Sequence, residues 1–233
     1  MKIRFLTLCA VLAGAALFSQ FAPAQALNTP PASPAEIEAL YTASIESRSQ
    51  EIIKLLGLTD AAKSNAVREI IMWQYRTMRA RDALIDAQLQ ATGKAVNYSN
   101  RVERLEAESK PLHDYFIARL SKLLSPEQIE KVKDKMTYNK VKVTYDAYIA
   151  IVPGLTDAEK AKILDLLKSA REKAIDGGSA TEKSAIFQVY KDRINEYLTS
   201  HGHDVAAAYK AWAARQPANT NTEASFSSGI ANQ

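Results

Sequence analysis

Tyrosine, tryptophan and arginine side chains recur at helical spacing in three parts of this 233-residue chain, and their chemistry suits ligand binding. A tyrosine ring combines an apolar face with a hydroxyl, so it can stack on a sugar ring while it hydrogen-bonds to a sugar hydroxyl. The candidate ligand-binding residues are Trp73, Tyr75, Arg76 and Arg79 in one segment, Tyr138, Tyr145 and Tyr148 in a second, and Tyr190, Arg193 and Tyr197 in a third.

Each of these groups also has a purely structural interpretation. Aromatic side chains that recur every three or four residues are typical of a helix face that packs into a core. Polar neighbours such as Arg193 and Asn195 favour binding, because they are costly to bury without a polar partner. We therefore predict a ligand site at these stripes and keep the core as the alternative.

Three arginines, Arg76, Arg79 and Arg81, lie close together on one predicted helix. They could hold an acidic sugar such as a uronate through forked hydrogen bonds to its carboxylate. The favoured alternative is a solvent-exposed helix face on which they pair with Asp82 and Asp86.

The histidines give weaker evidence of a functional site. His201 and His203 could bind a metal, and Asp204 would add a carboxylate. However, two imidazoles without a placed third ligand make an incomplete site, and they lie at a predicted helix end, so we expect no metal site. His113 is followed by Asp114, but adjacent helical positions point about 100° apart, which predicts a partly buried structural histidine. No cofactor is expected.

Known catalytic motifs are missing from the sequence, which has no GxxxxGK, HExxH or GxSxG. This is weak evidence against an enzyme, because many catalytic sites assemble from scattered residues. An enzyme acting on polysaccharide stays an alternative, with catalytic residues unknown.

The first 26 residues predict an export signal. A basic start with Lys2 and Arg4 precedes an apolar run over residues 5–18, and Ala24-Gln25-Ala26 offers a small-x-small site with cleavage after Ala26. The run is shorter than the roughly 20 residues of a membrane span. We expect a periplasmic or secreted protein with no membrane span in its mature form and, since Cys9 is removed, no cysteine.

Charge and composition limit the classes of binding partner that we expect. Without Lys2 and Arg4 the chain has 28 basic and 26 acidic residues, a net charge of +2, which predicts no nucleic-acid partner. Hydrophobic residues make up 47% and charged residues 24%, as in a globular domain.

Apolar residues recur every three or four positions between the few glycines and prolines, which predicts an all-α bundle of about six to eight helices with no sheet. We expect a linker at 27–34, a single helical domain at 35–215 with possible halves 35–124 and 125–215, and a disordered tail at 216–233. Thr59 is predicted to cap the second helix, Pro111 to kink or restart the third, and the helix that Ser125 opens to reach Ala150.

Two family resemblances follow from these segments. Leu-Ser-Pro-Glu-Gln at 124–128, with related starts at 58 and 155, resembles the Leu-Thr-x-x-Gln signatures of the periplasmic Spy/CpxP chaperones. A longer resemblance, to the secreted bacterial family labelled domain of unknown function 3826, rests on Leu56-Gly57-Leu58-Thr59-Asp60, on Tyr145-Asp146-Ala147-Tyr148 through Pro153-x-Leu155-Thr156, on Ala170-Arg171-Glu172-x-Ala174-x-Asp176-x-Gly178-Ser179, and on Tyr190-Lys191-x-Arg193-Ile194-Asn195-x-Tyr197-Leu198.

The longer resemblance implies a sugar-binding protein of polysaccharide-degrading bacteria and supplies no catalytic residues. With the tyrosine and arginine groups it predicts a carbohydrate-binding accessory of polysaccharide utilisation, with an oligo- or polysaccharide as partner. The alternative is a Spy/CpxP-like chaperone or envelope-stress protein, whose partners would be unfolded envelope proteins.

Overall fold

The computed structural model describes residues 33–216, except for the side chains of Tyr98, Ser99, Val102, Glu103, Glu106 and Ala107. Eight helices follow one another: α1 (Pro34–Leu56), α2 (Ala61–Ala91), α3 (Tyr98–Ser121), α4 (Pro126–Met136), α5 (Lys140–Ile151), α6 (Asp157–Ala174), α7 (Ala180–Ser200) and α8 (Val205–Ala213). Residues 33–216 contain no strand, which confirms the predicted all-α bundle. The predicted signal peptide with its cleavage site at Ala26 lies outside the described residues, as do linker residues 27–32 and the tail after Gln216.

Capping side chains fix several helix starts. Ser33, Ser125 and Thr156 each accept the backbone N–H three residues on, where a glutamate or glutamine returns a hydrogen bond to the cap. Such caps stabilise a helix by about 1 kcal/mol each. The predicted cap of α2 is wrong, because the carboxylate of Asp60, one residue after Thr59, accepts the Lys63 N–H at 3.0 Å.

The long helix predicted from Ser125 to Ala150 is also wrong. It is divided at Tyr138 and Asn139, whose φ angles of 59° and 54° are left-handed. The hydroxyl of Thr137 donates to the carbonyl of Lys133 at 2.8 Å, which ends α4. Asparagine tolerates a left-handed backbone better than most residues. The chain therefore changes direction here.

Pro111 does not interrupt α3, so the predicted restart is wrong. Proline lacks the N–H that would donate to the preceding turn, so α3 loses one hydrogen bond and continues. None of the helices in residues 33–216 combines the length and apolarity that a membrane span requires.

Two large apolar clusters hold the helices together. The first joins α1, α2, α3 and α4, and its fully buried members include Ile45, Ile52, Ile71, Phe116, Leu120 and Val132. The second joins α5, α6, α7 and α8, and includes Tyr148, Ile163, Leu167, Ile194 and Leu198. Ile175, at the end of α6, belongs to the first cluster and so ties the two together. The halves 35–124 and 125–215 stay a prediction about domains.

Candidate functional site

An open cleft of about 720 Å³ lies between α3 on one side and the end of α6, the α6–α7 turn and α7 on the other. Its volume is within the usual range for small-molecule sites. The α3 wall consists of Leu105, Ser109, Lys110, His113 and Asp114. The opposite wall consists of Glu172, Lys173, Asp176, Gly177, Glu182, Ile186, Val189, Tyr190 and Arg193. The cleft thus takes side chains from helices of both apolar clusters.

A close approach of backbone and side chain fixes the α6–α7 turn against α2. A Cβ atom at Gly178 would lie 1.7 Å from Asp82 Oδ2, so any other residue there requires the Asp82 side chain or the turn to move. The Gly178 N–H donates to Glu182 Oε2 at 2.7 Å, and the Ser179 hydroxyl caps α7. The turn therefore places Asp176 and Glu182 in the cleft wall.

His113 and Asp176 form a pair in the lining of the cleft, one from each wall. The distance from His113 Nδ1 to Asp176 Oδ2 is 2.9 Å, and the aspartate side chain is only 8% exposed. Gln74 donates to the other Asp176 oxygen at 3.1 Å, and Arg81 donates to its backbone carbonyl at 2.8 Å. The hydrogen bond to Asp176 raises the pKa of His113, against the opposing effect of burial.

Glu172 stands beside the imidazole without a hydrogen bond to it. Its Oε2 atom lies 3.8 Å from His113 Nε2. Lys133 contacts Glu172 at 2.8 Å and Arg171 donates to it at 3.0 Å. Arg171 also pairs with Asp134 of α4 at 2.7 Å. The Glu172 carboxylate is therefore held by one cation of α4, Lys133, and by a second, Arg171, that is paired with α4.

Glu182 is the most deeply buried carboxylate of the cleft wall, with a side chain 3% exposed. Its Oε1 atom is buried and has no hydrogen-bond partner in the described part of the chain. Arg101 Nη1 lies 3.9 Å away, beyond hydrogen-bond range, and the Arg101 guanidinium stands closer to Asp82 and Asp86.

Lys183 lies in the protein interior behind this wall and has a structural role. Its Nζ atom donates to the carbonyls of Ala174 and Ile175, both at 3.0 Å, and so caps the end of α6. Burial lowers the pKa of Lys183 to about 8, partly offset by the charges of Asp176 and Glu182.

The structure brings two of the ten predicted ligand-binding residues into the cleft, Tyr190 and Arg193. The Arg193 guanidinium lies 4.8 Å from the centre of the Tyr190 ring, within cation–π range. Tyr148, by contrast, is in the core and is 1% exposed, and its hydroxyl donates to Asn195 Oδ1 at 2.8 Å. Burial raises its pKa.

The other tyrosines of these two stripes lie away from the cleft. Tyr145 and Tyr197 are partly buried against the second apolar cluster. The Tyr197 ring contacts the His201 ring, with centroids 4.2 Å apart. Tyr138 is 46% exposed at the joint between α4 and α5.

The aromatic and arginine group on α2 is likewise separate from the cleft. Trp73 packs edge-on against Tyr115 at 5.1 Å. Tyr75 is buried in the first apolar cluster, which raises its pKa to about 12. Arg76 and Arg79 are exposed.

Each arginine of the cluster has its own surroundings. Arg79 pairs with Glu38 at 2.9 Å. Arg81 pairs with Asp82 as predicted, but it is 4% exposed, so the expected solvent-exposed face is wrong at this residue.

The two histidines near the end of α7 are used structurally. His203 Nε2 lies 2.9 Å from Glu159 Oε1, and His201 Nδ1 lies 2.8 Å from the carbonyl of Tyr197. Among the side chains that the structure describes, no three of His, Cys, Asp or Glu are grouped as a metal site would require.

Sequence reasoning misses the pair of His113 and Asp176 in the cleft. The sequence places His113 beside Asp114, whereas its partner Asp176 lies 63 residues further along the chain. The Asp176-Gly177-Gly178 turn was the available signal, because glycines beside an aspartate mark a close approach as well as a turn.

Comparison with known proteins gives a family and no function. A search of the curated proteins finds no match. One family model, described as "Protein of unknown function (DUF3826)", matches residues 42–218, which include the whole cleft. The chain therefore belongs to the DUF3826 family.

Proposed function

We propose that this protein is exported and binds an oligosaccharide in the cleft, as an accessory of polysaccharide utilisation. The observation that carries the proposal is the Tyr190–Arg193 pair in a cleft that also presents His113 and carboxylates. The Tyr190 ring is largely buried, with the residue 6% exposed, and its hydroxyl has no hydrogen-bond partner among the described residues and is not one of the buried unpartnered atoms, so it reaches the open cleft. A tyrosine of this kind suits a polar ligand.

The polar and apolar side chains that line the cleft suit a sugar as the ligand. A sugar hydroxyl both donates and accepts, and the cleft presents a donor on Arg193, an acceptor on Glu172 and the ion pair of Lys110 with Asp114. Apolar side chains of α7, such as Ile186, line the same cleft. Carbohydrates combine hydroxyls with apolar C–H faces, so they match such a surface.

Glycosidic hydrolysis ordinarily uses two carboxyl groups that lie about 5–5.5 Å or about 6.5–9.5 Å apart. The 3.8 Å contact between His113 and Glu172 joins an imidazole to a carboxylate and is not such a pair. Release of reducing ends from a polysaccharide, abolished by a cleft substitution such as Glu172→Gln, would favour the alternative of an enzyme acting on polysaccharide.

Titration calorimetry of the mature protein with plant and algal oligosaccharides tests the proposal. We expect at least one of them to bind, and Tyr190→Ala to weaken that binding about tenfold or more. Tyr197→Ala is the matched control, since Tyr197 is a tyrosine of the same helix that lies outside the cleft. Equal losses in the two variants, or no binding across the panel, would refute the proposed site.

Export is tested separately by sequencing the N-terminus of protein recovered from the producing cells. We expect the mature chain to begin at Leu27. The chaperone alternative stays a prediction, and suppression of aggregation of a chemically denatured client at equimolar amounts would support it.

A further inference from the structure

Two polar atoms in the cleft wall are left without a protein hydrogen bond. Glu182 Oε1 is buried and unpartnered, although the other oxygen of the same carboxylate accepts the Gly178 N–H. His113 Nε2 faces Glu172 across 3.8 Å, which is too long for a hydrogen bond. Buried polar atoms are nearly always paired, so Glu182 Oε1 is a candidate for a ligand contact. His113 Nε2 is a second candidate, because its side chain is 20% exposed and lines the cleft.

The two atoms require different hydrogen-bonding groups on a ligand. A carboxylate oxygen can only accept, so Glu182 Oε1 requires a donor. The gap between His113 and Glu172 is wide enough for one oxygen at about 2.8 Å from each, off the line that joins them. Such an oxygen would accept from protonated His113 and donate to Glu172. A hydroxyl group can do both.

A ligand carboxylate meets neither requirement. It has no proton to donate near neutral pH, so its lone pairs would face those of Glu182 Oε1 and Glu172. The cations behind the wall already face protein groups: Arg81 bonds to Asp82 and to Asp176, and Lys183 bonds to the end of α6. Arg101 lies 2.9 Å from Asp86 and 3.4 Å from Asp82. The cations of the cleft lining itself, Lys110, Lys173 and Arg193, lie at exposed positions, and Lys110 pairs with Asp114 at 2.7 Å.

We propose that the cleft selects neutral, hydroxyl-bearing sugars over uronates, with Glu182 Oε1 and His113 Nε2 as the atoms that recognise hydroxyl groups. This rests on the proposed function and names the class of sugar that the cleft takes. It opposes the acidic ligand that the arginine cluster on α2 suggested.

Matched sugars test the selectivity by calorimetry. β-1,4-linked mannotetraose and cellotetraose are compared with the β-1,4-linked tetramers of mannuronate and glucuronate, which differ from them only in the oxidation of C6. The neutral tetramer that binds best in a wider panel is added with its C6-oxidised derivative. We expect each oxidised sugar to bind about tenfold or more weakly than its neutral partner, since its C6 carboxylate cannot donate to Glu182 and carries the same charge as that side chain.

Glu182→Gln tests the residue itself. The amide keeps an acceptor for the Gly178 N–H and replaces the unpartnered acceptor with a donor, so the neutral-to-uronate preference should fall about tenfold. Glu196→Gln, at an exposed position of α7 outside the cleft, is the control. Thermal unfolding of each variant checks that it is folded.

The outcomes separate the two proposals. Uronates that bind as tightly as the neutral sugars, or a preference unchanged in Glu182→Gln, would overturn the selectivity while leaving sugar binding intact. No binding by any neutral or acidic sugar would refute the proposed function as well.

Discussion

Tyr148 and Tyr190 are both buried tyrosines of the second apolar cluster, yet they differ in what their hydroxyl groups contact. The Tyr148 hydroxyl donates to Asn195 in the interior, whereas no described residue hydrogen-bonds to the hydroxyl of Tyr190, which lines the cleft. Burial alone therefore does not separate a structural tyrosine from a candidate binding tyrosine. The hydrogen-bond partner of the hydroxyl does.

The largest expected effect is on the structural side of this comparison. Tyr148→Ala removes a ring that is 1% exposed, and we expect it to lower the free energy of unfolding by about 3–5 kcal/mol. Urea unfolding followed by circular dichroism measures the change. A loss below about 1 kcal/mol would show that the ring is not part of a well-packed core.

The next largest expected effect concerns the α6–α7 turn, which belongs to the same cleft wall as Tyr190. Gly178→Ala places a Cβ 1.7 Å from Asp82 Oδ2, and we expect a loss of about 1–3 kcal/mol in the free energy of unfolding as the turn moves away. Asp82→Ala alone is also destabilising, since it breaks the pair with Arg81. In the double variant the two losses should be less than additive, because the clash is gone. Strict additivity would contradict the close approach.

Removing only the hydroxyl groups gives a smaller effect and the sharpest comparison. Tyr148→Phe leaves Asn195 Oδ1 without its donor and should cost about 1–2 kcal/mol of folding stability. Tyr190→Phe should change stability by less than about 0.5 kcal/mol, and should instead weaken sugar binding. Thermal unfolding and calorimetry on both variants measure the two effects. The same loss of stability in Tyr148→Phe and Tyr190→Phe would show that the two hydroxyl groups do not differ in their structural role.

The smallest expected effect is a pH dependence from His113. Its hydrogen bond to Asp176 raises the pKa in the folded protein above the ordinary value of 6.5, so the pair stabilises the fold below that pH and loses this contribution as the pH rises through the folded pKa. Relative to the native protein, His113→Gln should be more destabilised at about pH 5.5 than at about pH 8.5.

Urea midpoints at both pH values measure this difference. His201→Gln is the control, because its imidazole is exposed and contacts the backbone carbonyl of Tyr197. A pH-independent loss in His113→Gln would mean that the histidine acts only through packing.

Most of the fold could be predicted because helix starts are local. Ser33, Ser125 and Thr156 satisfy backbone N–H groups within their own first turns, so a few neighbouring residues decide each start. The division between α4 and α5 at Tyr138 and Asn139 could not be predicted, because no glycine or proline lies there. We attribute it to packing of the helices on either side, which sequence spacing does not record.

The candidate site was predictable only in part. Tyr190 and Arg193 share a helix, so their proximity follows from spacing. The pairing of His113 with Asp176 depends on how α3 packs against the α6–α7 turn. Glu182 lies in the first turn of α7, and the same side chain lines the cleft with one oxygen unpartnered, which depends on packing between helices.

The left-handed joint at Tyr138 and Asn139 has a consequence for how the site is assembled. The chain before it builds the first apolar cluster almost alone, and the chain after it builds the second. The α3 wall of the cleft comes from the first segment and the α7 wall from the second. If the chain were cut at this joint, the cleft would exist only when the two fragments associate. A ligand that contacts both walls would then act as a clamp, and fragment complementation would report its binding.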